Sequence, residues 1–237
     1  MPGSLKITLA CLDLAGTTVA DRGAVETAFA EALGTLGIAR GTAGFDRAMA
    51  VIGESRGQPK IDVFRQVFAG DEALAQTAAL SFERSYGSVI DRVGLEPMPG
   101  AEAVLDKLAG AGVRICLTTG FSATTMARVL DTLGWWRRVD LTVGPDDVAG
   151  RGSPHPDLVW AAALRLGVED VRHIAVCGDT AAGMACGRRA GAGTVAGVLT
   201  GAHDRTRLLA AGATHVLDSI AGLPELLLAS GVALAGI

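Results

Sequence analysis

Asp13 stands immediately ahead of Leu14-Ala15-Gly16-Thr17-Thr18, a carboxylate followed by a small turn with two hydroxyl residues. A carboxylate beside exposed backbone N–H groups can act as a nucleophile while those groups bind the oxygens of a phosphoryl centre. Thr118-Thr119-Gly120 adds hydroxyl donors for a bound anion. Gly178-Asp179-Thr180 adds a second carboxylate, a natural ligand for a hard cation such as Mg²⁺. The first two have plainer readings when taken singly: a helix cap at Asp13, an ordinary turn at Thr118-Gly120. Their common setting favours the chemical one, because each follows a short apolar run.

Those runs are Ile7 to Leu12, Val113 to Leu117 and Ile174 to Cys177, and three more follow the same pattern at Leu141 to Val143, Thr194 to Val198 and His215 to Leu217. Short continuous apolar runs read as buried strands. Helical patterns lie between most of them, at Ala101 to Ala109, Thr124 to Leu133, Asp157 to Leu166 and Thr206 to Ala210, with Gly112, Gly134, Gly167 and Gly212 as stop signals. Alternating strands and helices predict a parallel sheet covered on both faces, and ligands of such sheets bind where strands end and helices begin. Residues 21–95 break the alternation. They hold helical segments (Ala24 to Leu36, Phe45 to Ile52, Lys60 to Phe68, Ala73 to Val93) without a strand, and Gly94 to Gly100 returns the chain to the sheet. The expected organisation is an α/β, Rossmann-like core (1–20 and 96–237) with a small helical cap domain (21–95) inserted after the first strand.

With these motifs in place the sequence resembles the haloacid dehalogenase superfamily of aspartyl-nucleophile hydrolases, and within it the phosphonatase-like family. The resemblance covers nearly the whole chain. It rests on DLAGTT at Asp13 to Thr18, PKIDVFR at Pro59 to Arg65, TTGF at Thr118 to Phe121, PDDVAGR at Pro145 to Arg151, and GDT followed by Gly187 and Ala190-Gly191-Ala192. It implies Asp13 as the nucleophile forming an aspartyl-phosphate, with Mg²⁺ held by Asp13, the Ala15 carbonyl and Asp179. Gly16, Thr17, Thr119 and Gly120 would bind the phosphoryl group, and Arg151 would balance charge around the nucleophile. A solvated arginine in a Gly-rich loop is the competing reading of Arg151.

Ala15 is the most informative position, since phosphomonoesterases of the superfamily carry a second aspartate there to protonate the leaving alkoxide. Phosphonatase instead activates its substrate through a cap lysine that forms a Schiff base with an aldehyde. Lys60, one of three lysines in the chain, opens the KID motif as that lysine does. Arg56, four residues earlier, is expected to help depress its pKa and to contact substrate. A snorkelling lysine at a helix start is the competing reading. Three departures stand out: Val63 where the family motif has histidine, Gly183 where a further acidic residue is expected, and a longer turn, GRGSPHPD, after Gly150. Asp146 or Asp147 are candidates to make up for the missing carboxylate. Trp135, Trp136 and Phe121 read as packing residues, and the four histidines form no constellation.

Composition sets the outer limits. The 237 residues are 49% hydrophobic and 19% charged, with 21 Lys plus Arg against 25 Asp plus Glu and a net charge of −4. This is a folded chain without the basic surface that nucleic acid or an anionic membrane requires. It has neither an 18-residue apolar span nor signal-peptide character in MPGSLKITLACLDLAG, so a cytoplasmic protein is expected. Four cysteines without metal spacing read as reduced, buried hydrophobes. The function expected is an Mg²⁺-dependent, phosphonatase-like hydrolase of a small phosphonate or phosphate. The alternatives are a phosphomonoesterase or haloacid dehalogenase of the same superfamily, and a catalytically weak anion-binding protein. A homodimer is implied by the resemblance only.

Overall fold

The computed structural model describes residues 6–228; residues 1–5 and 229–237, the outer ends of the expected core, lie outside the described residues. All six apolar runs fold as strands: β1 (Leu9–Asp13), β2 (Arg114–Thr118), β3 (Leu141–Val143), β4 (Ile174–Gly178), β5 (Thr194–Val198) and β6 (His215–Leu217). They pair in parallel in the order β3-β2-β1-β4-β5-β6. β4 and β5 are buried throughout and β1 up to its last residue, which explains why they read as continuous rather than alternating apolar runs. The strand order reverses between β1 and β4, the place where a sheet of this order opens a crevice at its carboxyl edge. Asp13 ends β1 and Asp179 directly follows β4.

Four helices lie between β1 and β2: α1 (Ala24–Thr35), α2 (Ala43–Glu54), α3 (Lys60–Val67) and α4 (Glu72–Val93). They are followed by α5 (Ala101–Gly110), α6 (Ala123–Leu133), α7 (Asp157–Arg165), α8 (Ala181–Ala190), α9 (Arg205–Ala210) and α10 (Leu223–Leu228). Capping side chains fix several of the starts. Asp71 accepts the Leu74 N–H at 2.9 Å, Ser122 that of Thr125 at 3.2 Å, and Thr180 that of Gly183 at 3.1 Å. Two helices, α8 and α10, were not marked by the sequence patterns above; α8 carries Gly183 and Gly187, which weaken its helical signature.

The helices of the insert pack around aromatic rings. Phe29 of α1 lies 5.4 Å from Phe64 of α3 and 4.5 Å from Phe82 of α4, centroid to centroid. Burying each such ring stabilises the insert by ~1.5–3 kcal/mol. Tyr86 of α4 stacks on Phe121 at 4.7 Å, so the insert is also joined to the loop after β2. The outgoing and returning segments run side by side: Ala20 N–H donates to Glu96 O at 2.9 Å, Met98 N–H to Thr18 O at 2.8 Å, and Val19 pairs antiparallel with Pro97.

Candidate active site

The turn after β1 is wound around one carbonyl. Leu14 O accepts the N–H groups of Thr17, Thr18 and Val19 at 2.9–3.1 Å, and the Thr18 hydroxyl donates to Asp13 O at 2.8 Å. Leu14 N–H donates to Asp13 Oδ1 at 2.8 Å, which orients the carboxylate. The same turn reaches Asp179, whose Oδ1 accepts the hydroxyl of fully buried Thr17 at 3.2 Å. Ala202 N–H donates to Asp179 Oδ2 at 2.7 Å, and Thr200 donates its hydroxyl to Gly16 O at 2.6 Å. Gly16, at φ +80°, and Gly201 allow this closeness, because a Cβ on either would fall 2.6 or 2.0 Å from Asp179 Oδ2. The loop after β5 is therefore part of the site, and sequence reasoning missed it. Its one signal is Thr200-Gly201 close behind a strand, the same pair as Thr119-Gly120.

Burial and the neighbouring Asp179 push the Asp13 carboxyl up to about 7, against the opposing pull of Leu14 N–H and Lys60. Asp179 is likewise raised, chiefly by burial. Two enclosed carboxylates that repel each other form a site a divalent cation would relieve, with the Ala15 carbonyl on the same cavity wall. No group of three or more His, Cys, Asp or Glu side chains placed to hold a metal ion occurs among the described residues. A cation here would rest on two carboxylates and backbone oxygen. Gly183 lines a side cavity of about 20 Å³ together with Asp13, Thr119 and Ser153, so the expected third acid is replaced by space.

A larger cavity of about 410 Å³ lies between the sheet edge and the helices of the insert. Asp13, Ala15, Gly16, Thr119, Gly120 and Asp179 line it from the core, and Arg56 and Lys60 from the insert. Lys60 starts α3 directly after Pro59, and its Nζ sits among rings, 4.6 Å from the centroid of Phe121, 5.5 Å from Phe82 and 6.0 Å from Phe29. Desolvation lowers its pKa from 10.5 to about 8; Arg56 pushes the same way, while Glu83, Asp13 and Asp21 oppose. Glu83, which the sequence did not single out, accepts the Ser122 hydroxyl at 2.6 Å and that of Thr125, and so ties α4 to the start of α6. Gly57, at φ +87°, lets the loop before α3 lie on the β4 tip, since a Cβ there would meet Thr180 Oγ1 at 2.4 Å.

Arg151 does not join this group. Its Nε donates to Asp157 Oδ1 at 2.8 Å, its guanidinium faces His155, and the side chain is 58% exposed. The lengthened turn delivers Asp157, the first residue of α7, as a local partner that holds the guanidinium at the surface. Asp146 and Asp147 are also engaged elsewhere, by Ala123 N–H and by Gly144 N–H with Arg165, and neither lines the cavity. Phe121 is buried against Tyr86 and Phe82 as a packing residue, and it also walls the cavity. All four cysteines are free and buried. No helix among the described residues is long and apolar enough to cross a membrane.

The chain is similar to known proteins. Phosphonoacetaldehyde hydrolase of Bacillus cytotoxicus is 29% identical over 182 residues, 66% of this chain and 67% of that protein. The enzyme of that name from Bordetella pertussis is 34% identical over 155 residues, 56% of each chain, so the match spans little more than half its length. The crystal structure of a phosphonoacetaldehyde hydrolase-like protein from Oleispira antarctica superposes with a TM-score of 0.82 at 25% identity, covering 96% of this chain and 93% of that one. The model of the haloacid dehalogenase-like hydrolases matches residues 7–191. With that match over most of its length, and with Asp13 and Asp179 facing one cavity at the switch point of a parallel sheet, the chain belongs to the haloacid dehalogenase-like hydrolases.

Proposed function

We propose that this hydrolase cleaves the C–P bond of a small carbonyl-bearing phosphonate, with Asp13 as nucleophile and Lys60 as the amine that activates the carbonyl. The observation that carries the reading is the placement of Lys60 Nζ among three phenylalanine rings, in the same cavity as Asp13. A lysine with no chemical task gains nothing from such a desolvated position, whereas a Schiff-base lysine needs one to hold a free amine near neutral pH. At pH 7 a pKa of about 8 leaves roughly a tenth of the amine neutral, against a few parts in ten thousand at the ordinary value.

The Lys60 amine adds to the substrate carbonyl carbon, a proton is taken up and water leaves, giving an iminium ion β to phosphorus. The Asp13 carboxylate attacks phosphorus, the C–P bond breaks, and its electron pair passes into an enamine. Protonation and hydrolysis of the enamine release the carbonyl product and regenerate Lys60, and water cleaves the aspartyl-phosphate. Ala15 fits this course, since an enamine leaving group needs no acid where a phosphate ester's alkoxide would. Thr119 and the backbone of the Asp13–Thr18 turn would hold the phosphoryl oxygens.

Asp13, Asp179 and the Ala15 carbonyl would hold Mg²⁺. When bound, the ion offsets the negative charge that nucleophile and phosphoryl oxygens bring together. The helical insert acts in this reading as a cap that closes over small substrates and keeps water out. A second reading, hydrolysis of a phosphate ester, is favoured by Val63, which supplies no proton beside Lys60. Phosphate and halide release measured across carbonyl phosphonates, phosphate esters and haloacids separates the two. Release from carbonyl phosphonates alone supports C–P cleavage; release from esters, unaffected by Lys60→Ala, contradicts it.

A further inference from the structure

The cavity lining around Lys60 is partly hydrocarbon, alongside Asp21, Arg22, Ser55 and Gln58. Val25 and Phe29 share one face of α1 at i,i+4, and Lys60 and Val63 share one face of α3 at i,i+3. Met98 joins them from the returning segment, and all five side chains line the 410 Å³ cavity. Phe29, Val63 and Met98 are only 3%, 1% and 9% exposed, so this wall is already packed and firm. The hydroxyls and carboxylates that suit a phosphoryl group and a cation line the same cavity from the core, at Asp13, Thr119 and Asp179. The cations nearer the insert have partners already: Arg56 faces Glu26 at 3.4 Å, and Arg22 pairs with Glu96.

A carbonyl carbon bonded to Lys60 Nζ would carry its remaining substituent within this cavity. The hydrogen of an aldehyde would leave Val25, which is partly open, without an apolar partner in a cavity of about 410 Å³. We infer that the cavity is built for a 2-oxoalkylphosphonate, a ketone phosphonate whose carbonyl carbon carries an alkyl chain packed against the apolar lining at Val25. The inference rests on the imine reading of Lys60. Bonds form and break as in the aldehyde case, with a methyl ketone or longer ketone as the released product.

The test measures kcat/KM for phosphate release from 2-oxopropyl-, 2-oxobutyl- and 2-oxopentylphosphonate, with the two-carbon aldehyde as the reference for C–P cleavage. Borohydride trapping on Lys60 is followed for every compound. Burial of each added methylene predicts a rise of about fourfold, the equivalent of ~0.8 kcal/mol. Val63 is fully buried, so Val25, partly open to the cavity, carries the mutational control. Val25→Asn should flatten the dependence on chain length. A flat or falling series in the native enzyme, with the aldehyde cleaved and Lys60 trapped, overturns the inference and leaves the imine reading intact. A rise that survives Val25→Asn also overturns it, because the chain then lies elsewhere. No cleavage and no Lys60 adduct with any compound overturns the inference and the reading on which it rests.

Discussion

Replacing Lys60 by methionine should abolish C–P cleavage and stabilise the fold, and the stability gain has a defined pH window. Methionine keeps the length and the aromatic contacts of the side chain but removes the charge. Lowering the amine from 10.5 to about 8 corresponds to ~3 kcal/mol of destabilisation while the folded protein holds the proton. Water in the cavity and the attraction of the Phe121, Phe82 and Phe29 faces for the ammonium return part of this, which leaves ~1–3 kcal/mol. The sign follows from the depressed value. Below about pH 8 the folded state carries the buried charge and the full penalty; between there and 10.5 it sheds a proton that the unfolded chain still binds; above 10.5 the penalty is gone. Urea unfolding of both proteins at pH 7 and near pH 10 is the assay. Lys60→Met should be the more stable at pH 7, with the gap narrowing sharply at the higher pH. An equal gap at both values, or a less stable variant at pH 7, would refute the claim that Lys60 is a desolvated amine.

Asp13→Asn should lower kcat by more than about a hundredfold, or ~2.7 kcal/mol, without loss of folding, since an amide cannot serve as the carboxylate nucleophile; steady-state phosphate release measures it. Activity should require Mg²⁺ and vanish with chelator, and Gly183→Asp should tighten Mg²⁺ in calorimetric titration by filling the side cavity with a third carboxylate, with its Cβ 3.2 Å from Thr180 Oγ1. Glu83→Gln removes a carboxylate that raises the Lys60 pKa, so the pH at which Lys60 becomes trappable by borohydride should move down.

The sheet was legible because a parallel strand buried on both faces has one solution in sequence, a short unbroken apolar run. Thr194–Val198, buried throughout, falls on the predicted residues, and so do the partly buried edge strands Leu141–Val143 and His215–Leu217. Asp13, Thr119 and Asp179 were legible for the related reason that they directly follow such runs. The surroundings of Lys60 were not. Phe29, Phe82 and Glu83 reach it from α1 and α4, and at helical spacing these residues read as core or surface until tertiary packing turns them toward one point. Ala202 and Thr200 act through a backbone N–H and a turn hydroxyl, groups that leave little trace in residue type. Arg151 shows the reverse case. Its place in the motif suggested a role, but the turn that follows carries a nearer acid, Asp157, that takes the guanidinium.

Borohydride added to the enzyme together with phosphonoacetaldehyde and Mg²⁺, followed by peptide mapping in a mass spectrometer, addresses the central claim most directly. The account predicts inactivation and a reduced two-carbon adduct on Lys60, formed faster as pH rises through about 8, and absent from Lys6 and Lys107. An enzyme that keeps releasing phosphate from an ester, with Lys60 unmodified, would contradict it.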